Sequence, residues 1–149
     1  MNLRPATVDD AAAVKACIDA SYRHYLERLE GVLPGPMRKD YAEVIRKSRS
    51  VTVAEREGVI VGVLVLDVTD RGFCLDTVGV DPANRGAGLG RTLLELAEAE
   101  ARKAGFDSIY LYTHQLMTEN QSLYRRIGYE EIGRMVDEGL PRVFMRKKL

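Results

Sequence analysis

Val78-Gly79-Val80-Asp81-Pro82-Ala83-Asn84-Arg85-Gly86-Ala87-Gly88-Leu89-Gly90-Arg91 runs from an apolar strand through a turn into a glycine-rich loop, and then directly into a helix. Gly86, Gly88 and Gly90 stand at alternate positions, where a missing Cβ lets the backbone approach a ligand and point N–H groups at it. The helix that begins here adds uncapped N–H groups and the positive end of its dipole. The stretch therefore predicts a cradle for a phosphate or pyrophosphate. The bland alternative is a tight turn with a close strand–helix contact.

Spacing separates the kinds of phosphate loop. A P-loop needs Gly, four residues, then Gly-Lys-Ser/Thr. Gly90-Arg91-Thr92 resembles its end, but Arg91 replaces the lysine and Arg85 stands at the first glycine position. A dinucleotide fingerprint starting at Gly86 needs its third glycine at Arg91 and fails too. Counted from Arg85, the loop reads Arg-x-x-Gly-x-Gly.

Upstream, Leu3 to Ala6 reads as a short strand followed by a helix start, with Thr7 as N-cap and Asp10 three residues later. Val14, Ile18, Tyr22, Tyr25 and Leu29 recur at helical spacing, so Tyr22 and Tyr25 read as core or pocket wall. Gly31 and Pro34-Gly35-Pro36 break that helix, and a shorter one is predicted over Met37 to Lys47. Val51 to Arg56, Val59 to Val68 and Phe73 to Val80 are strands joined by the turns Glu57-Gly58 and Asp70-Arg71-Gly72. Such a meander argues against an all-parallel sheet.

Downstream, Leu89, Leu93, Ala97, Glu100/Ala101 and Ala104 form the inner stripe of a helix that Gly105 closes. Ser108 to Thr113 is a strand reached by a helical crossover, so it should run parallel to Phe73–Val80. A short helix over Thr118 to Ile127 ends at Gly128. Tyr129 to Val136 and Arg142 to Leu149 complete the strands. The prediction is one mixed α/β domain over residues 1–149, with a mostly antiparallel sheet flanked by helices.

Composition narrows the function classes. Lys+Arg and Asp+Glu both number 22, so no global field calls for nucleic acid or an anionic membrane. No apolar run approaches the ~20 residues of a membrane span, and the start lacks an apolar signal region, which favours a cytoplasmic protein. Cys17 and Cys74 fit small buried hydrophobes. His24 and His114 are too few and too isolated for a metal site, so none is expected.

Arg85-Gly86-Ala87-Gly88-Leu89-Gly90, preceded by Val78 to Pro82, resembles the acetyl-coenzyme-A signature of the GNAT superfamily of N-acetyltransferases. Glu119-Asn120-Gln121-Ser122-Leu123-Tyr124-Arg125-Arg126-Ile127-Gly128-Tyr129 resembles the same family's late motif. The order of strands and helices fits over nearly the full chain. The resemblance implies a sheet splayed between the fourth and fifth strands, with acetyl-CoA entering the gap as co-substrate. It implies that the backbone of Val78, Gly79 and Val80 lies along the cofactor, Val78 and Val80 pairing with the pantetheine arm. It also implies that the N–H groups of Arg85, Gly86, Ala87, Gly88, Leu89 and Gly90 hold the pyrophosphate, with charge from Arg91 and Arg85. Asn120 would hydrogen-bond the cofactor arm, and Tyr124 would stand near the thioester sulfur as general acid. The family needs no metal and no covalent acyl-enzyme, and it favours a homodimer over a monomer. Its acceptor sites are built around the segments that are Tyr22–Met37 and Asp137–Pro141 here.

Direct transfer from acetyl-CoA to a primary amine, on a small molecule or a peptide, needs a neutral amine, a polarised carbonyl and a proton for the departing thiolate. A phenol with pKa of about 10 suits the last task in a water-poor slot. A strand N–H at Val78 or Val80 suits the second. For the base, Asp76 shares a face with Val78 and Val80 under strict alternation, a bulge near Gly79 aside, while Glu119 and His114 lie past the neighbouring strand. A chain of waters is the alternative base. Asp137 and Glu138 suit a cationic amine, the bland alternative being that exposed acids in a turn are usually just solvated. A non-catalytic acyl-CoA-binding or regulatory module is the competing reading. Tyr124 beside Asn120 favours the enzyme, because pure binding needs no proton donor.

Overall fold

The computed structural model describes residues 1 to 149. Seven strands, β1 (Asn2–Pro5), β2 (Ser50–Arg56), β3 (Val59–Thr69), β4 (Gly72–Val80), β5 (Ser108–His114), β6 (Glu130–Asp137) and β7 (Leu140–Lys148), form one sheet in the order β1-β2-β3-β4-β5-β7-β6. Only the β4–β5 pair is parallel, as the crossover helix requires. The helices are α1 (Ala11–Tyr22), α2 (Tyr41–Lys47), α3 (Leu89–Lys103) and α4 (Thr118–Arg126). None is long and apolar enough to cross a membrane.

The strand alternation sends apolar side chains to both faces. On one face Leu64, Leu66, Phe73, Leu75, Ile109 and Met145 meet α3 and α4 in the larger core. On the other, Val51, Val53, Val63 and Val65 meet α1 and α2. Cys74, Tyr110 and Phe144 form a small separate cluster with Tyr112 against it. Both cysteines are free and buried, as small hydrophobes.

Two helices differ from the sequence expectation. The α-helix stops at Tyr22, and a 3-10 turn (Arg23–Tyr25) and looser turns carry the chain to Gly31, yet Tyr25 and Leu29 stay buried. The apolar spacing reported the buried side, which the turns preserve, rather than the backbone hydrogen bonding. The predicted Met37–Lys47 helix is divided because the Asp40 carboxylate accepts from the N–H groups of Ala42 at 3.0 Å and Glu43 at 3.4 Å, so α2 starts afresh after it. The turn Glu57-Gly58 has positive φ at both residues (52° and 79°), and so has Glu138-Gly139 (53° and 75°), the geometry of tight two-residue hairpins.

The sheet opens where β4 and β5 part. Their ladder contains only Phe73 opposite Ile109 and Cys74 opposite Tyr110, after which the strands diverge toward their C-terminal ends. The parallel strands thus present an open edge on each side of a gap. That gap lies below the glycine loop and beside α1 and α4.

Candidate functional site

The glycine loop is built as a row of free donors. Gly86 and Gly88 take φ of 84° and 81°, a left-handed conformation that side chains disfavour, and Gly88 serves as N-cap of α3. From Gly86 to Arg91 no backbone N–H donates to a protein acceptor; Thr92 is the first to do so, to the Gly88 carbonyl at 3.0 Å. Consecutive unbonded N–H groups at the head of a fifteen-residue helix make an anion site by geometry and dipole together. They border a cleft of about 1210 Å³ between β4, α3 and α4. Of the cations lining it, Arg91 pairs with Glu95 and Lys147 with Glu98, while Arg85 and Arg126 have no carboxylate partner. Arg85 instead donates to the Ser21 carbonyl at 2.8 Å, which ties the loop to the end of α1.

The open edge of β4 is partly occupied by α1. The Tyr22 hydroxyl donates to the Val78 carbonyl at 2.9 Å, and the Val80 N–H donates to Ser21 Oγ at 3.2 Å. Both groups therefore point away from β3, and the Val78 N–H, on the same side of its residue, points into the gap as well. Of the two strand donors expected from sequence, Val78 is the one left for a ligand. Gly79 pairs toward Val63 of β3. A Cβ on Gly79 would lie 2.9 Å from Ile18 Cδ1 and 3.1 Å from Ser21 Oγ, so this glycine lets α1 press against β4.

From the far side, α4 contributes Asn120 and Tyr124, one helical turn apart and both facing the gap. Asn120 Oδ1 accepts from the Tyr25 hydroxyl at 3.2 Å, which fixes the amide. Tyr124 is buried and stands edge-on to Tyr129, with ring centroids 5.7 Å apart. Its hydroxyl makes no hydrogen bond within the protein, and burial, with Tyr25 nearby, raises its pKa well above the usual phenol value. Glu119, which precedes Asn120, is exposed and paired with Arg28, which holds its carboxyl down at about 2.

A second, small pocket of about 40 Å³ opens on the other side of Tyr124. Tyr22, Val78, Asn120 and Tyr124 line both spaces and form the seam between them. Asp76 lies in this pocket, but not where strict alternation puts it. Val65 faces Thr77 and Leu66 faces Leu75, so Asp76 is the extra residue of a β-bulge. The bulge turns its carboxylate away from the face of Val78 and Val80 to accept from Tyr112 OH and Thr77 Oγ1, each at 3.1 Å, and to pair with Lys39. His114 accepts the Leu116 N–H on Nδ1 at 3.0 Å, and burial and Arg142 lower its pKa. Asp137 and Glu138 lie beside Arg142 at 3.8 and 3.4 Å, so an incoming cation would meet the guanidinium as well as the two acids. No group of three or more His, Cys, Asp and Glu side chains is placed to hold a metal ion.

Residues 17–129 match the Acetyltransferase (GNAT) family. The chain belongs to this family. It is 36% identical over 83 residues to an IAA acetyltransferase of Azospirillum brasilense, an alignment covering 54% of this chain and 54% of the relative, so the chain spans about half the length of that relative. Its fold matches that of a PaiA N-acetyltransferase from Thermoplasma acidophilum in complex with coenzyme A, with TM-score 0.79, 18% identity and coverage of 99% and 98% of the two chains. It also matches yncA of Salmonella typhimurium with its cofactor acetyl-CoA, with TM-score 0.70, 25% identity and coverage of 100% and 94%.

Within this GNAT domain the gap brings together the glycine loop, Val78, Asn120 and Tyr124, and it leaves Asp76 and Glu119 engaged elsewhere. Ser21, which holds Val80, and Arg126 and Arg142, which line the two spaces, are not among the site residues expected from sequence. Arg126 sits two residues after Tyr124 inside the late block. Arg142 carries no local signal, since its burial depends on the pairing of β5 with β7.

Proposed function

We propose that the chain is an acetyl-CoA-dependent N-acetyltransferase that acts on a primary amine by direct attack in a ternary complex, with Tyr124 as general acid. The observation that carries this reading is Tyr124 itself. A buried phenol with no protein hydrogen bond stands at the seam between a cofactor-sized cleft and a small pocket. Tyr124 borders both of these spaces, whereas the hydroxyl of Tyr129, also without a partner, is sealed in the core and lines neither.

Acetyl-CoA supplies the activated acetyl thioester. The free N–H groups from Gly86 to Arg91 suit its pyrophosphate, and Arg85 and Arg126 add positive charge in the same cleft. The Val78 N–H suits polarisation of a carbonyl oxygen in the gap. Asn120, fixed by Tyr25, turns one amide N–H to Met117 Sδ at 3.8 Å and leaves the other for the cofactor arm. Tyr124 keeps its proton at neutral pH and delivers it to a sulfur leaving on the cleft side. The amine enters from the pocket side. Its proton leaves through water, because the carboxylates of Asp76 and Glu119 are both held in ion pairs.

Two measurements test this. Acetyl-CoA at millimolar concentration should raise the melting temperature by mass action, and a panel of primary amines should release free thiol from it. No shift in melting temperature at that concentration overturns the reading.

A further inference from the structure

Arg142 is the least expected charge in the molecule. Its side chain is 7% exposed, and it lines the small pocket beyond Tyr124. The guanidinium lies over the Tyr112 ring, 4.3 Å from the centroid. Its only hydrogen bond is a long one, from Nη2 to Glu138 Oε2 at 3.4 Å; Nε is buried without a partner, and Nη1 makes no hydrogen bond within the protein. A buried guanidinium usually satisfies most of its five N–H groups, since desolvating the charge costs several kcal/mol. Here the face is stacked and most of the hydrogen-bonding edge is unused.

Two carboxylates lie near Arg142, and neither accounts for it. Asp137 at 3.8 Å is beyond hydrogen-bonding distance of Nε, and Glu138, 70% exposed, sits on the tip of a two-residue turn, where water weakens its attraction. Elsewhere in the wall, Lys39 and Asp76 neutralise each other, and His114 has its pKa lowered, so Arg142 is the charge left over. The pocket is small, which suits a compact group rather than a protein segment.

We infer that the acceptor is a small amine that also carries a carboxylate, which Arg142 binds through its unused N–H groups while the amine reaches the seam at Tyr22, Val78 and Tyr124. This rests on the acetyltransferase reading and narrows it to amino carboxylates. A bidentate guanidinium–carboxylate contact through Nη1 and Nη2 displaces Glu138, while Nε, sealed from solvent, stays outside it. Arg142 is on this reading a specificity-determining residue and takes no part in proton transfer. The expected discrimination is at least about tenfold in kcat/KM between an amino acid and its uncharged amide.

The test uses α-, β- and γ-amino acids, each paired with its carboxamide. Binding is read as a melting-temperature shift with and without coenzyme A, and turnover as thiol release from acetyl-CoA. At least one amino acid should bind and react at least about tenfold better than its amide. Arg142→Gln should erase that preference while the coenzyme-A shift persists. If Arg142→Gln does not fold, Glu138→Asn serves instead: asparagine suits the left-handed turn position, and removing the competing acid should lower KM for the amino acid a few-fold and leave the amide unchanged. Equal use of acids and amides, or turnover confined to amines without a carboxylate, overturns the inference and leaves the acetyltransferase reading intact. An absent coenzyme-A shift counts against that reading alone, because amino-acid binding to the free protein is read separately, and its absence there overturns the inference.

Discussion

The Tyr22 hydroxyl donates to the Val78 carbonyl at 2.9 Å and so joins the last residue of α1 to the open edge of β4. The bond spans the seam of the two pockets and holds the strand residue whose N–H faces the gap. Burial raises the Tyr22 pKa well above the usual phenol value, so the donor proton stays in place across the working pH range. Tyr22→Phe keeps the ring and removes only the clamp. Stability should fall by about 1 kcal/mol in a denaturant titration, the typical net worth of such a bond. A variant as stable as the parent shows that the clamp contributes nothing.

Tyr124→Phe should behave in the opposite way. Its hydroxyl has no protein partner, so the fold loses no hydrogen bond and stability should hold or rise slightly. The acetyl-CoA-induced rise in melting temperature should persist, while kcat should drop by about 100-fold, as for loss of a positioned proton donor. Cofactor affinity and turnover falling together would assign Tyr124 to packing.

The contrast between these tyrosines shows what a sequence can convey. Both fall at apolar helical spacing, and nothing local says that one hydroxyl clamps a strand and the other faces open space. Features written in a few adjacent residues were legible: the hairpin at Glu57-Gly58, the glycine loop leading into α3, the Asn120/Tyr124 turn, and the splay beyond Cys74 implied by the GNAT resemblance. Features set by the register of one strand against another were not. The bulge that turns Asp76 toward Lys39 and Tyr112 arises from the Val65/Leu66 register, and Arg142 becomes buried only when β7 docks beside β5. The end of α1 was hidden for another reason: Tyr25 and Leu29 remain inward through a 3-10 turn, so burial continued where the helix did not.

The glycines of the loop differ in why they are glycine, and a pair of alanine variants separates the reasons. Gly88 sits at φ 81° with no atom near an added Cβ, so Gly88→Ala should cost about 1 kcal/mol or slightly more of stability through left-handed strain alone. Gly90 lies inside α3, and an added Cβ would meet only Val80 Cγ2 at 3.9 Å, so Gly90→Ala should be neutral or stabilising. Both should weaken acetyl-CoA binding in a calorimetric titration, Gly88→Ala by distorting the cradle and Gly90→Ala by filling it. Unchanged affinity in Gly90→Ala places the ligand's closest approach elsewhere in the loop.

Glu119 supplies the pH test. Its hydrogen bond and ion pair with Arg28 hold the carboxyl at about 2, far too low to take a proton from an ammonium group near neutrality. His114 is no better placed, because Nδ1 accepts the Leu116 N–H and the neutral ring therefore carries its proton on Nε2. Glu119→Gln should leave the shape of the kcat/KM profile from about pH 6 to about pH 9 unchanged. The effect on stability has a defined sign. The folded pKa lies below the unfolded value of about 4.3, so the stabilisation is complete above that pH and is lost as pH falls toward 2. The pair is exposed, so added salt should shrink the difference between parent and variant at neutral pH. Disappearance of an acidic limb from the rate profile of Glu119→Gln would instead make this carboxylate the base.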